Sequence, residues 1–240
     1  MKKILYTLLL LLPLSSFASS GVKLQSVSID LEDFASIQKG AKHYVQYCLG
    51  CHSAKYMRYK RIAMDLEIDD AIVLAEIAPE GANIYDPMLT AMNEHDSKKW
   101  FGTNPPDLSL ISRVRGPNWL YTYLKGFYID KSKPFGSNNT IFKDVGMPNM
   151  LWKLQGEQSA VMEKSHGEDV ISYLKTETEG SMTRQQFDQF VTELVNFLVY
   201  VGEPVQLERQ RLGKYVLFYL LMFCAIAYLL KKEYWKNIKH

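Results

Sequence analysis

Cysteine is scarce in this chain of 240 residues: Cys48, Cys51 and Cys224 are the only three. A structural zinc site needs a second pair of ligands at matching spacing, and none is present. A redox dithiol of the thioredoxin type wants a strand ahead of the pair in a βαβ pattern, and no such strand is predicted. A large surplus of one charge is also missing. With 28 Lys and Arg against 26 Asp and Glu, the formal charge of +2 makes nucleic acid an implausible partner. No long acidic tract occurs either. What is abundant is hydrophobic side chain, 47% of the total, enough for one medium domain with a real core plus appended segments.

The chain is organised around Cys48-Leu49-Gly50-Cys51-His52. Two thiols three positions apart can add across the two vinyl groups of a haem, and a histidine directly after the second places its imidazole at the iron. This is the attachment signature of haem c, bound covalently through Cys48 and Cys51 with His52 as a metal ligand. The alternatives for the pair are the dithiol or half zinc site already weighed, or a disulfide.

Lys2 and Lys3, the apolar run Ile4–Leu14 and Ser16-Phe17-Ala18 form a secretory signal peptide over residues 1–18. The run is too short for a membrane anchor, and Pro13 interrupts it. Residues 19–210 form the expected haem domain, with 20 Lys and Arg against 25 Asp and Glu, whereas 211–240 holds six against one. An acidic exported body sits on a basic tail.

Asp30–Tyr47 reads as a helix capped by Asp30, with Phe34, Ile37, Ala41, Tyr44 and Cys48 on one face. Gly40 in mid-helix costs about 1 kcal/mol against alanine, so it marks the close approach of another helix. Lys42 and His43 are expected to be solvated. Asp69–Ile77 suggests a second short helix with Ile72, Val73, Ala75 and Ile77 inward. The acids Glu67, Asp69, Asp70, Glu76 and Glu80 form either a solvated face or a docking surface for a basic protein.

In Asn104-Pro105-Pro106-Asp107-Leu108-Ser109 the stiff double proline lacks N–H groups, so Pro105 and Pro106 can lie against a flat apolar surface such as a haem edge. Arg113 and Arg115 follow and could neutralise haem propionates; an ordinary turn with surface arginines is the alternative. The aromatic run Trp119–Tyr128 predicts core packing, Pro134–Thr140 a Gly/Asn-rich loop, and Gln155–Gly180 polar loops or a short hairpin with His166 exposed. An electron-transfer haem needs its sixth position filled. Of ten methionines, Met147 has the adjoining Gly146 and Pro148 that fix a loop, and ordinary core packing is its alternative.

Thr183 and Gln186 form a capping box ahead of a helix ending near Gly202, the natural partner for the Gly40 face. Tyr215–Leu230 is uncharged and apolar. With its flanks it predicts a transmembrane anchor over 211–231 and a basic tail over 232–240, cytoplasmic by the positive-inside rule. The expected fold is mainly α: a haem-enclosing helical domain of the c-type cytochrome kind, with long loops and one C-terminal transmembrane helix.

In their order and spacing, the haem motif, the Asn104–Ser109 segment with Arg113 and Arg115, the Met147-Pro148 loop and the C-terminal anchor resemble the cytochrome c1 family of proteobacterial type. That family supplies the haem subunit of ubiquinol:cytochrome c oxidoreductase, the cytochrome bc1 complex. The resemblance implies thioether bonds at Cys48 and Cys51, His52 and Met147 as axial ligands, Arg115 at a propionate with Arg113 a weaker candidate, and Pro105 and Pro106 packed at the haem. It implies electron transfer from the Rieske iron-sulfur protein to a cytochrome c, with cytochrome b as a further partner in a dimeric complex, and no substrate chemistry in this chain. It also places the haem domain on the periplasmic side of the cytoplasmic membrane. Acidic residues would steer a basic acceptor with weak to moderate salt dependence, because the surplus is modest and scattered. A membrane-anchored c-type cytochrome serving a terminal oxidase or dehydrogenase shares the motif and anchor, but does not predict the Pro-Pro-Asp-Leu-Ser segment. A gas sensor or peroxidase needs an open iron, and a purely structural membrane subunit would need no haem motif.

Overall fold

The computed structural model describes residues 24–165 and 168–236. The expected signal peptide, His166 and the last four residues of the tail lie outside the described residues. Among the described residues the chain is mainly helical, as expected, with three antiparallel strand pairs.

Helix α1 (Phe34–Tyr47) begins four residues later than predicted. The carboxylate of Asp33 accepts from the Ser36 amide at 3.0 Å, whereas Asp30 closes a turn by accepting from the Glu32 amide. Ile37, Ala41 and Tyr44 are buried as the spacing predicted, but Phe34, at the helix start, is exposed. His43 is half-buried rather than fully solvated. Its ring packs 4.1 Å from that of Phe190 and its Nε2 lies 3.0 Å from Glu193 Oε2. Lys42 pairs with Glu76.

The partner of α1 is α8 (Arg184–Gly202), whose N-terminus carries the predicted capping box between Thr183 and Gln186. The two helices cross at Gly40. A Cβ there would stand 2.0 Å from the carbonyl oxygen of Glu193 and 2.7 Å from Phe197 Cβ, so only glycine permits the approach. Val191, Leu194, Val195 and Leu198 of α8 are buried in this core.

Between these helices the chain wraps the rest of the domain. Strand β1 (Ala54–Arg58) leads into α2 (Tyr59–Asp65) and α3 (Asp70–Glu76), and pairs with β2 (Pro87–Met88), Ala54 facing Met88. Asp69 caps α3. Val73 and Ile77 are buried, but Ile72 and Ala75 face solvent, because so short a helix buries only one stripe. Helices α4 (Glu94–Phe101), α5 (Ile111–Arg115) and α6 (Pro117–Lys125) follow. Strands β3 (Phe127–Ile129) and β4 (Ser137–Asn139) then pair Phe127 with Asn139. The predicted Gly/Asn loop therefore contains a strand. Its two asparagines are buried because their amides are satisfied, Asn138 donating to Asp130 and Asn139 to the Tyr123 carbonyl.

After the short α7 (Trp152–Gln155) comes a hairpin longer than expected, β5 (Gly156–Ser165) with β6 (Glu168–Glu179). Between Glu157 and Glu179 none of its described side chains is fully buried, in keeping with its polar composition. The last element, α9 (Gln206–Tyr234), is 29 residues long, has no buried residue, and contains an 18-residue window of mean hydropathy 1.8. At 1.5 Å per residue it is about 44 Å long, enough to cross a hydrocarbon layer of about 30 Å.

Candidate haem site

The end of α1 delivers the haem motif. Its last turns continue through it: the Cys48 amide donates to the Tyr44 carbonyl and the His52 amide to the Cys48 carbonyl, each at 2.8 Å. The buried Tyr44 hydroxyl then donates to the His52 carbonyl at 2.6 Å, pinning the motif's exit to the core. Cys48 and Cys51 are both free thiols. Burial, reinforced by Cys51, pushes the Cys48 thiol up to about 12, and burial also raises Cys51. A redox dithiol lowers one of its two thiols, so both shifts run against that alternative.

The Pro-Pro-Asp-Leu-Ser segment is hydrogen-bonded onto the residues that follow the motif. The Leu108 amide donates to the Ser53 carbonyl at 2.7 Å, the Lys55 amide to Asp107 at 3.0 Å, and the Tyr56 amide to Ser109 Oγ at 3.1 Å. This clamp places the Pro106 carbonyl 2.8 Å from His52 Nδ1. A carbonyl can only accept, so Nδ1 carries the proton and Nε2 keeps its lone pair for a metal. Burial, partly opposed by that hydrogen bond, lowers the His52 pKa and keeps the ring neutral.

His52 and both cysteines line an apolar cleft of about 300 Å³. Pro105, Pro106, Arg115, Met147 and Pro148 line it too, together with Leu194 and Leu198 of the closing helix. Most of the predicted site residues therefore meet in one place. Arg113 does not: it points away and pairs with Glu203 at 2.7 Å. The Arg115 guanidinium lies 4.9 Å from the Trp119 ring centre and 5.8 Å from that of Phe142, with no carboxylate partner among the described residues. Sequence reasoning missed Tyr123, whose hydroxyl donates to Met147 Sδ at 3.3 Å, and Phe101 and Phe142, which wall the cleft. The signal for Tyr123 was its place one turn after Trp119 on α6, where the two rings stack 4.9 Å apart.

An apolar slot with two free thiols, an imidazole presenting a lone pair, a thioether and an unpaired guanidinium fits haem c. The comparisons with known proteins agree. The sequence model of the Cytochrome C1 family matches residues 28–238. The chain belongs to the cytochrome c1 family. Cytochrome c1 of Allochromatium vinosum is 50% identical over 99% of both chains. A protein of Nitrosomonas europaea named ammonia monooxygenase gamma subunit is 43% identical over 99% of both. Cytochrome c1 of Rhodospirillum rubrum is 25% identical, covering 87% of this chain and 84% of its own. As a member of this family, the chain carries covalent haem c and is a membrane-anchored electron-transfer subunit of a cytochrome bc1 complex.

Proposed function

We propose that this chain takes single electrons from the Rieske iron-sulfur protein and delivers them to a cytochrome c, with the side chains of the cleft in the following roles. Cys48 and Cys51 form the thioethers, which hold the cofactor permanently. His52 is the proximal ligand, its ring orientation and tautomer set by the Pro106 carbonyl. Met147 is the distal ligand, and Arg115 meets a propionate. Pro105 and Pro106 pack on the ring and bring no unsatisfied N–H into the slot. Leu194 and Leu198 exclude water on the core side. Haem c supplies a one-electron iron couple, and a His/Met ligand pair favours a high potential.

The observation that carries this reading is the His52–Pro106 hydrogen bond at 2.8 Å, in a cleft that also holds Met147. A carbonyl-oriented imidazole facing an apolar slot is the arrangement a fixed axial ligand requires. The topology follows from the ends of the chain. A signal peptide over 1–18 exports the haem domain of 19–210 to the periplasmic side, 211–231 spans the membrane, and the basic 232–240 stays in the cytoplasm. Cytochrome b completes the complex, which is a dimer.

The test is an optical spectrum with redox titration of the purified complex, comparing wild type with Met147→Leu. The wild type is expected to show a low-spin haem c of high potential. The variant should lose the ferric Met-to-iron charge-transfer band, and its potential should fall steeply. A spectrally unchanged variant would place the sixth ligand elsewhere.

A further inference from the structure

The charge of the domain is segregated. Residues 94–153, which carry most of the cleft wall outside α1 and α8, hold nine Lys and Arg against five Asp and Glu. The rest of 24–210 holds ten against twenty. The acidic surplus of the whole domain therefore comes from residues outside 94–153, and none of those acids lines the cleft.

The acids that suggested a docking surface for a basic protein are largely engaged. Asp69 caps α3, Asp70 pairs with Lys60, and Glu76 pairs with Lys42. None of them, nor Glu67 or Glu80, lines the cleft. Within 94–153 three of the five acids are similarly committed. Asp107 accepts from the Lys55 and Ser109 amides, Asp130 from Ser132 and Asn138, and Asp144 pairs with Lys133. Of the nine cations there, Arg113, Lys125 and Lys133 pair with carboxylates, and among the described residues the other six do not. Among the described residues, Lys98, Lys99, Lys131, Lys143 and Lys153 have no carboxylate within salt-bridge distance.

In sequence these lysines neighbour aromatic side chains that line the cleft or adjoin residues that line it. Lys98 and Lys99 precede Trp100, which is 57% exposed, and the cleft-lining Phe101. Phe101 meets Phe135 at 5.6 Å, in the loop that carries Lys131. Lys143 follows Phe142, 43% exposed and itself part of the cleft wall, and Lys153 follows Trp152, 48% exposed. Large aromatic side chains held out in water and interleaved with unpaired cations have the composition of a protein-binding patch, with an apolar centre that desolvates and a charged rim that steers.

From this juxtaposition we infer that the cleft rim formed by α4, the β3–β4 loop, Phe142 and Trp152 is the docking surface for a soluble electron-transfer protein with an acidic face. This rests on the function proposed above and fixes one property of the acceptor, the sign of its docking charge. It replaces the expectation of a basic acceptor drawn from the charge of the whole domain. An acidic face would meet five lysines that have no carboxylate partner among the described residues and that flank or share a loop with the rim aromatics. A basic face would be repelled there.

The test uses the purified complex and two probe acceptors, an acidic soluble cytochrome c and a basic one, with haem oxidation followed by stopped flow over a salt series. The acidic probe should react faster at low salt, its rate falling about tenfold towards high salt, while the basic probe speeds up as salt screens repulsion. Lys99→Glu with Lys143→Glu should reverse the order of the two probes. A basic probe that is faster at low salt, or rates indifferent to salt, would overturn the assignment. So would a double variant that slows haem reduction by quinol but leaves oxidation by the acidic probe unchanged, because the rim would then meet the donor. If quinol fails to reduce the wild-type haem at all, the proposed function fails. Ascorbate-reduced complex still reports the docking rates in that case.

Discussion

The hydroxyl of Tyr123 donates a hydrogen bond to the sulfur of Met147 across 3.3 Å, joining α6 to the loop that carries the proposed distal ligand. Tyr123 is itself held in place, stacked on Trp119 at 4.9 Å and edge-on to Phe127 at 5.2 Å. The thioether is thus positioned by a half-buried donor, much as Pro106 positions His52.

A hydrogen bond to a ligating sulfur withdraws electron density from the metal and favours the reduced state. Tyr123→Phe keeps the ring and removes only the donor. The haem potential of this variant should fall by about 40 mV, the equivalent of roughly 1 kcal/mol for a one-electron couple. The ferric charge-transfer band should persist, because the ligand itself is retained. A potential that stays put or rises in redox titration would show that the bond does not act on the metal.

The crossing of α1 and α8 makes a sharp stability prediction. A methyl group at Gly40 would collide with the backbone of Glu193, which cannot rotate away as a side chain can. Gly40→Ala should therefore cost about 2 kcal/mol or more, and thermal melting should fall by about 4–8 °C for a domain of this size. Gly50→Ala, inside the haem motif but with nothing within 4 Å of its added carbon, should melt close to wild type. Equal melting of the two variants would refute the close-packed crossing.

These features differed in how readily the sequence revealed them. Gly40 could be read as a contact because glycine is costly in a helix and its position on the apolar face left few explanations. The capping box at Thr183 and Gln186 is a local code, and the haem motif carries its chemistry in five consecutive residues. What failed was decided by residues distant in sequence that carry no local signal. His43 falls off the apolar stripe of α1, and only the arrival of Phe190 and Glu193 buries it. Arg113 and Arg115 are two residues apart on a one-turn helix, so they point in different directions. Which one faces the cleft depends on where Glu203 lies. The charge of the cleft rim was hidden for a related reason. A net charge summed over the domain cancels a basic surface against acidic ones that the fold places elsewhere.

Arg115 gives a second handle on the cofactor. Its guanidinium is braced by Trp119 and Phe142 and has no carboxylate partner among the described residues, which leaves its charge available to an anionic ligand group. Arg115→Gln should lower the haem potential by a few tens of millivolts, since an uncompensated propionate favours ferric iron, and should make the potential more dependent on pH as that propionate titrates. Arg113→Gln, which breaks a pair with Glu203 outside the cleft, should leave the potential unchanged. Equal effects from the two substitutions would remove Arg115 from the site.

His43 sets a pH dependence of folding whose sign follows from its surroundings. Burial lowers its pKa below 6.5, Lys39 acts in the same direction, and the hydrogen bond and charge of Glu193 oppose them without winning. Below pH about 6.5 the unfolded chain binds a proton that the folded chain resists, so stability falls as pH drops through that value towards the folded pKa. His43→Gln can keep a hydrogen bond to Glu193 but cannot titrate. The difference in unfolding free energy between wild type and this variant should therefore be flat above pH 7 and move against the wild type as pH falls below 6.5. Chemical denaturation of the haem-loaded protein at a series of pH values measures that difference directly. If the wild type instead gained stability relative to the variant on acidification, the ion pair with Glu193 would outweigh burial, and the order of effects at this helix crossing would be reversed.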